Sequence, residues 1–150
     1  MSNKKLLGID PATNCGWAVD NDIYGCWDLS VRRDESNGMK LLRFEANLQK
    51  ILLIHGIDVV AYERPAGFHT HAIIHQAKLI AVLERFCETN NIQYRTYSAT
   101  EIKKFATGKG NAKKDMMIKS AKERLGYKGN NDNEADALWI LNLLKHDLNL

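Results

Sequence analysis

The order of hydrophobic patterns along the chain is the feature that most constrains its fold. Three short runs typical of strands come first, separated by turns rich in Asn, Asp, Pro and Gly: KKLLGID, CGWAVD and DIYGCWDLS. A helical pattern over residues 38–55 follows, and then IDVVAYE has the character of a buried strand, which indicates a β-α-β crossover. Antiparallel strands followed by alternating helices and strands predict an α/β domain with a mixed central sheet flanked by helices.

The second half of the chain continues the alternation. We expect a long helix from about His69 to Asn91, followed by the short strand IQYRTY. The tetrapeptide SATE at residues 98–101 has the form of a capping box that opens another helix. Two more helices are predicted, over about 112–125 and 132–147.

Length and composition favour one domain. A chain of 150 residues with 45% hydrophobic content can build one core, so we expect a single domain over 1–150. No segment approaches the roughly 20 apolar residues of a membrane span, and we expect a soluble protein of the cytoplasm. Three cysteines without CxxC spacing predict neither a disulfide framework nor a zinc site: Cys15, Cys26 and Cys87.

Positive charge is concentrated in one segment. Residues 101–129 contain eight lysines and one arginine against three acids, a local balance of +6, whereas the whole chain carries +3. A basic segment on an otherwise acidic body favours a polyanionic partner on one face, although a solvated lysine-rich helix would have the same composition.

Two acids end predicted strands. Asp10 follows the apolar LLGI, and Glu63 ends IDVVAYE immediately before Arg64 and Pro65. Functional sites in open α/β sheets form at the carboxyl ends of the strands, so both residues are candidates. The alternative is that they only cap turns.

A third acid interrupts an apolar helix pattern in NNDNEADALWILNLL. Asp136 shares a helical face with Trp139, Ile140 and Leu143, and a carboxylate there is costly unless it is paired or binds metal. Asp132, four residues earlier, lies on the same face but has the alternative role of an N-cap. Glu134 points elsewhere and suits the helix dipole.

These acids together suggest a metal site. Oxygen ligands from Asp10, Glu63, Asp132 and Asp136 suit Mg²⁺ or Mn²⁺ and do not suit zinc. Two such ions can activate water and stabilise the leaving oxygen of a phosphodiester. We therefore expect metal-dependent hydrolysis.

The segments GIDPATNCGWA, AYERP and DNEADALWI resemble the RuvC family of Holliday-junction resolvases, within the ribonuclease H-like superfamily, over nearly the whole chain. The resemblance implies four catalytic acids on two metals, of which the first, second and last fall on Asp10, Glu63 and Asp136. The family's third acid falls on Asn133, and we assign that role to Asp132, with Asn133 as a possible neutral ligand.

The resemblance also implies DNA contacts. TEIKKFATGKGNAKKDMM is similar to the family stretch with two basic residues near the substrate phosphates, here Lys103 and Lys114. Contacts to the DNA backbone are expected from Lys104, Lys109 and Lys113. Phe68 falls where the family carries an aromatic that stacks on bases at the junction centre; the alternative is a ring buried under a loop.

The histidines His69, His71 and His75 are not assigned to a metal, because the helix that carries them has its own amphipathic pattern. We expect them at a surface near DNA. Their helix is predicted to be amphipathic, with an apolar face formed by Ile73, Ala77, Ile80 and Leu83. The resemblance implies that this helix forms a homodimer, which supplies two sites for two symmetric nicks.

The predicted function is therefore a Mg²⁺-dependent endonuclease that resolves Holliday junctions and cuts other branched DNA such as forks. Three alternatives are a ribonuclease H-like enzyme that processes RNA, a junction-binding protein that does not cut, and a kinase of the actin-like fold, which GIDPATN also resembles. The kinase needs two domains. The short chain and Asn133 are more typical of a phage-encoded family member than of a bacterial one.

Overall fold

Strands and helices alternate in the order that the hydrophobic pattern predicts. The structure is a computed structural model that describes residues 3–67 and 71–150. Its strands are β1 (Leu6–Asp10), β2 (Asn14–Asp20), β3 (Ile23–Asp28), β4 (Val59–Glu63) and β5 (Gln93–Tyr97). Its helices are α1 (Gly38–His55), α2 (His71–Thr89), α3 (Ala99–Thr107), α4 (Lys114–Leu125) and α5 (Asp132–Asp147).

The strands form one mixed sheet in the order β3-β2-β1-β4-β5. β1 pairs antiparallel with β2, and β2 pairs antiparallel with β3. β4 lies parallel to both β1 and β5, as expected when helices connect these strands. The predicted α/β class with a mixed central sheet is confirmed.

Each face of the sheet has its own hydrophobic core because neighbouring residues of a strand point to opposite faces. On one face Leu7 and Ile9 pack with side chains of α1 and α2. On the other face Leu6 packs with α3, α4 and α5, whose Leu138 and Trp139 are fully buried. The two cores give both sides of the sheet a helical layer.

Helix α5 lies unusually close to the sheet because it meets glycines. A β-carbon on Gly8 would lie 2.6 Å from the carbonyl oxygen of Ala137, and one on Gly16 would lie 1.9 Å from that of Asn133. Both separations are too short for any side chain. Gly8 and Gly16 therefore let the first half of α5 rest against β1 and β2, backbone to backbone.

The N-terminal end of α3 has the predicted capping box. Ser98 accepts a hydrogen bond from the Glu101 amide, and the Glu101 carboxylate accepts one from the Ser98 amide. The capping box is therefore confirmed.

The apolar face predicted for α2 is only partly correct. Ile80 and Leu83 are buried, but Ala77 is exposed and Ile73 is half-buried. The buried side chains are instead Leu79, Ile80, Leu83, Phe86 and Cys87. Burial is therefore confined to the second half of the helix, and the first two turns contribute little to the core.

Cys15 and Cys87 are buried and Cys26 is half-buried, and all three are free thiols. Within the described ranges, none of the helices combines the length and the apolar character that a membrane crossing requires.

Replacing Gly16 with Ala should destabilise the protein by about 3 kcal/mol, because the new methyl group would force α5 away from β2. Urea unfolding measures this change. Gly38→Ala is the matched control: nothing lies within 4 Å of its β-carbon position, and the change should be neutral or slightly stabilising. Equal effects of the two substitutions would contradict the close packing of α5.

Candidate active site

The carboxyl ends of β1 and β4 place two acids side by side. These strands are parallel, with Ile9 opposite Tyr62, so the next residues, Asp10 and Glu63, are also neighbours. Strand alternation turns both away from the core that contains Ile9 and Tyr62, towards the face covered by α5.

Helix α5 brings the other two acids to this edge. Asp132 is its first residue and Asp136 lies one turn further on, on the side that faces the sheet. The N-cap is Asn131, whose side chain accepts a hydrogen bond of 3.0 Å from the Glu134 amide. The alternative role of Asp132 as an N-cap is therefore wrong, and its carboxylate is not needed to cap the helix.

Tyr127 organises the segment that leads into α5, a role that sequence reasoning missed. The buried hydroxyl of Tyr127 donates to the Glu134 carboxylate at 2.7 Å and accepts from the Asn131 amide at 2.9 Å. Gly129 packs against the same ring, where a β-carbon would lie 2.5 Å from the hydroxyl oxygen. Glu134 thus points away from the other acids, as predicted, and Tyr127 acts as a positioning residue.

The four acids are electrostatically coupled. Burial raises the pKa of Asp10 well above its ordinary value, and the charges of Asp136, Glu63 and Asp132 raise it further. Burial, then Glu63 and Asp132, raises the pKa of Asp136 to about 7. Burial also raises the pKa of Glu63. The structure therefore brings together Asp10, Glu63, Asp132 and Asp136, and leaves them with excess negative charge.

Two lysines oppose this charge. Lys103 on α3 offsets part of the increase in the pKa of both Glu63 and Asp136. Lys114 at the start of α4 does the same for Asp136. The Lys114 ammonium lies 3.5 Å from the Asp132 carboxylate. Both lysines predicted near the substrate phosphates thus lie beside the acids.

An open pocket adjoins these groups. Its volume is about 600 Å³, and its lining includes Glu63, Asp136, Lys103, Lys113 and Lys114. A cleft lined by both acids and lysines can receive a phosphodiester whose backbone contacts the lysines.

The remaining predicted contacts are spread over the surface. Lys104, Lys109 and Lys113 are exposed, on α3 or between α3 and α4. Phe68 and His69 lie outside the described residues. His71 is exposed and His75 is half-buried at the start of α2.

The donor set fits a hard divalent cation. The ligands available at this edge are carboxylate oxygens, whose mutual repulsion a cation would relieve. Within residues 3–67 and 71–150, no three Cys, His, Asp or Glu side chains already converge as a complete metal-binding group.

Cys26 lies close to this site, which its spacing in sequence did not suggest. Burial raises the pKa of its thiol, and the charges of Glu134, Asp10 and Asp132 raise it further. Two of the four acids, Asp10 and Asp132, thus also act on Cys26.

Comparison with solved structures identifies the fold. RuvC of Thermus thermophilus, solved in complex with a Holliday junction substrate, superposes with a TM-score of 0.74 at 19% identity, over 93% of this chain and 91% of that chain. At this identity the match shows the fold alone. The mixed sheet with its layers of helices thus has the ribonuclease H-like fold, as predicted.

Sequence comparison identifies the family. No protein-family model matches the chain. The crossover junction endodeoxyribonuclease RuvC of Salinispora arenicola is 32% identical over 124 residues, which cover 75% of this chain and 70% of the relative. That of Brachyspira hyodysenteriae is 28% identical over 142 residues, 89% of each chain. The chain therefore belongs to the RuvC family of crossover junction endodeoxyribonucleases.

The cost of ionising Asp136 in the folded protein should be measurable as a change in the free energy of unfolding with pH. With a folded pKa of about 7, above the ordinary value for Asp, the folded protein holds this proton more tightly than the unfolded chain. Without metal, stability should fall as the pH rises from about 4 to about 7, by up to about 4 kcal/mol for this group.

The side chain at position 136 of the Asp136→Asn variant cannot ionise. With chelator present, this variant should be more stable than the parent protein above about pH 7 and should lose this advantage near pH 4. Urea unfolding at both pH values measures the difference. Glu123→Gln, which removes an exposed acid of α4, is the control and should change little. A stability difference for Asp136→Asn that is the same at both pH values would contradict the assigned pKa.

Proposed function

We propose that this protein is a structure-selective DNA endonuclease that resolves Holliday junctions and cuts other branched DNA, such as forks, by two-metal-ion hydrolysis of phosphodiester bonds. The observation that carries the proposal is the meeting of Asp10, Glu63, Asp132 and Asp136 at one sheet edge in a member of the RuvC family. The same edge faces a pocket lined with lysines, which suits a polyanionic substrate.

The carboxylates would hold Mg²⁺, for which Mn²⁺ could substitute, because their oxygens are the hard ligands that these ions prefer. When bound, two such ions supply an activated water and stabilise the leaving oxygen. Asp10 and Glu63, which are neighbours at the strand ends, would hold the ions from the sheet. Asp132 and Asp136 would complete the ligand set from α5.

The lysines would act on the substrate. Lys103 and Lys114 lie beside the acids, so they would contact the phosphate that is cut and offset the negative charge that develops on it. Lys104, Lys109 and Lys113 are exposed beyond them and would bind the DNA backbone without reading its sequence. Base stacking by Phe68 at the junction centre remains a prediction from the family resemblance.

Asp132 is the preferred third acid. Its charge raises the pKa of both Asp10 and Asp136, which supports a position of its carboxylate close to theirs. Asn133 instead places its main-chain carbonyl against Gly16 of β2. The family's third ligand would thus be supplied from one residue earlier on the same helical turn.

A homodimer would present two such sites to a four-way junction. The first turns of α2 have apolar side chains available for the contact, including Ile74, which is 53% exposed. We propose that residues 1–150 act as one nuclease domain, built on the single sheet. It would meet its substrate in the cytoplasm of a bacterium or of a phage-infected host. A phage origin stays a prediction.

Asp10→Asn should abolish cleavage but keep junction binding, because the ligand is lost while the lysines remain. Four-way junction, fork, linear duplex and RNA–DNA hybrid are compared with Mg²⁺, Mn²⁺ or chelator. Paired nicks in branched DNA that need metal and Asp10 are the expected result. Hybrid cleavage without branch preference would identify an RNA-processing enzyme, and binding without cleavage in any metal would identify a binding protein.

Substitutions at 132 and 133 test the third ligand. Asp132→Asn should lower the cleavage rate at least about 100-fold, the upper end of the effect of losing an outer-shell partner. Asn133→Ala keeps the main-chain contact to Gly16 and should retain most activity. Junction binding and thermal unfolding, measured on both variants, control for folding. The reverse ranking of the two rates would assign the ligand to Asn133.

A further inference from the structure

Helix α1 is apolar on the side that faces solvent as well as on the side that faces the sheet. Its inner side packs in the core through Phe44, Leu48 and Ile51. On the other side Leu42 is 59% exposed, and Leu53, at 86%, is the most exposed large hydrophobic side chain in the described part of the chain. Apolar residues on both sides of a helix are typical of a helix that is covered on both sides.

The exposed residues on this side have the spacing of a coiled coil. Leu42, Ala46, Gln49 and Leu53 follow one another at intervals of four, three and four residues, and we call them the outer face of α1. They lie in one row about 16 Å long. Gln49 is the polar member, and none of the four is charged. A row of this kind fits a second helix that lies alongside it.

Two charged residues border the outer face of α1 on opposite sides. Glu45 lies on one side of the row, and Lys50, five residues later, lies on the other. Neither forms an ion pair with any other described residue. Both are therefore available to a partner helix.

This arrangement of charges makes the outer face of α1 complementary to itself. In a parallel pair of helices related by a two-fold axis, a residue at one border of the contact lies beside the residue five positions later in the other helix. Glu45 of each copy would thus meet Lys50 of the other copy. An antiparallel pair would instead bring together borders of like charge.

We infer that the outer face of α1 binds the same face of a second copy of this chain, in a parallel two-fold pair with two Glu45–Lys50 ion pairs at its borders. The inference deepens the proposed homodimer and therefore rests on the proposed function. It places a contact on α1, whereas the family resemblance implies one on α2.

A parallel pair suits an enzyme that makes two nicks. Strands β1 and β3 run in the same direction, because each pairs antiparallel with β2. Helix α1 follows β3 and starts near the catalytic edge, where Lys40 donates a hydrogen bond of 2.8 Å to Thr13 in the turn after β1. Two parallel α1 helices would thus present both catalytic edges at the same end of the dimer.

Analytical ultracentrifugation of the protein over a range of concentrations, without DNA or metal, tests the contact. The parent should self-associate reversibly, since two turns of contact per heptad over one short row give a small interface. Leu53→Glu places a charge in the row and should weaken self-association at least about tenfold. Ile54→Glu is the matched control: Ile54 is 71% exposed but lies off the row, so association should be unchanged.

Exchanging the two charges tests the parallel arrangement. Glu45→Lys and Lys50→Glu each replace two attractions with two repulsions, so each alone should weaken self-association about tenfold. Combined in one chain, the two substitutions restore opposite charges at both borders. The double variant should therefore associate nearly as tightly as the parent. Thermal unfolding checks that every variant is folded.

A parent protein that stays monomeric at every concentration would overturn the inference. So would self-association that Leu53→Glu leaves unchanged, including the case in which Ile74→Glu on α2 alone reduces the mass. A double charge variant as weak as the single variants would overturn the parallel pairing. Failure of the proposed function is distinguishable, because the parent would then self-associate as expected and leave branched DNA intact.

Discussion

The close contact between α5 and the sheet is the interaction on which the site depends. Gly8 and Gly16 have no side chains to hold the helix off, so its first turns rest on the backbone of β1 and β2. This contact brings Asp136 to the ends of the strands that carry Asp10 and Glu63. A helix displaced by the thickness of one methyl group would leave the acids of the sheet and those of the helix apart.

The same contact makes the site electrostatically costly. Carboxylates drawn together at a half-buried edge raise one another's pKa, and only Lys103 and Lys114 oppose them within the described site. Tyr127 and Asn131 hold the start of α5 in place against this repulsion through their hydrogen bonds to Glu134. The fold thus stabilises an arrangement of acids that favours binding a cation, at the expense of stability without one.

Much of this architecture was predictable because local patterns carry it. The capping box at Ser98, the strand that ends at Glu63 and the last helix from Asp132 all follow from short stretches of sequence. The apolar face of α2 was less predictable. Whether Ala77 is buried depends on what packs beside it, and in the structure it is exposed. Tyr127 was missed for a similar reason: its contacts with Asn131 and Glu134 depend on a particular loop conformation.

The sequence by itself determined the class of fold and the order of the elements. It also singled out two acids that end strands and one that interrupts an apolar helix, because hydrophobic periodicity and strand ends are local properties. Only the tertiary structure decided which acids meet, that Asn131 rather than Asp132 caps α5, and that Lys103 and Lys114 lie beside the acids. Those outcomes depend on strand register, on the approach of α5 to two glycines, and on the packing of α3 and α4 beside α5.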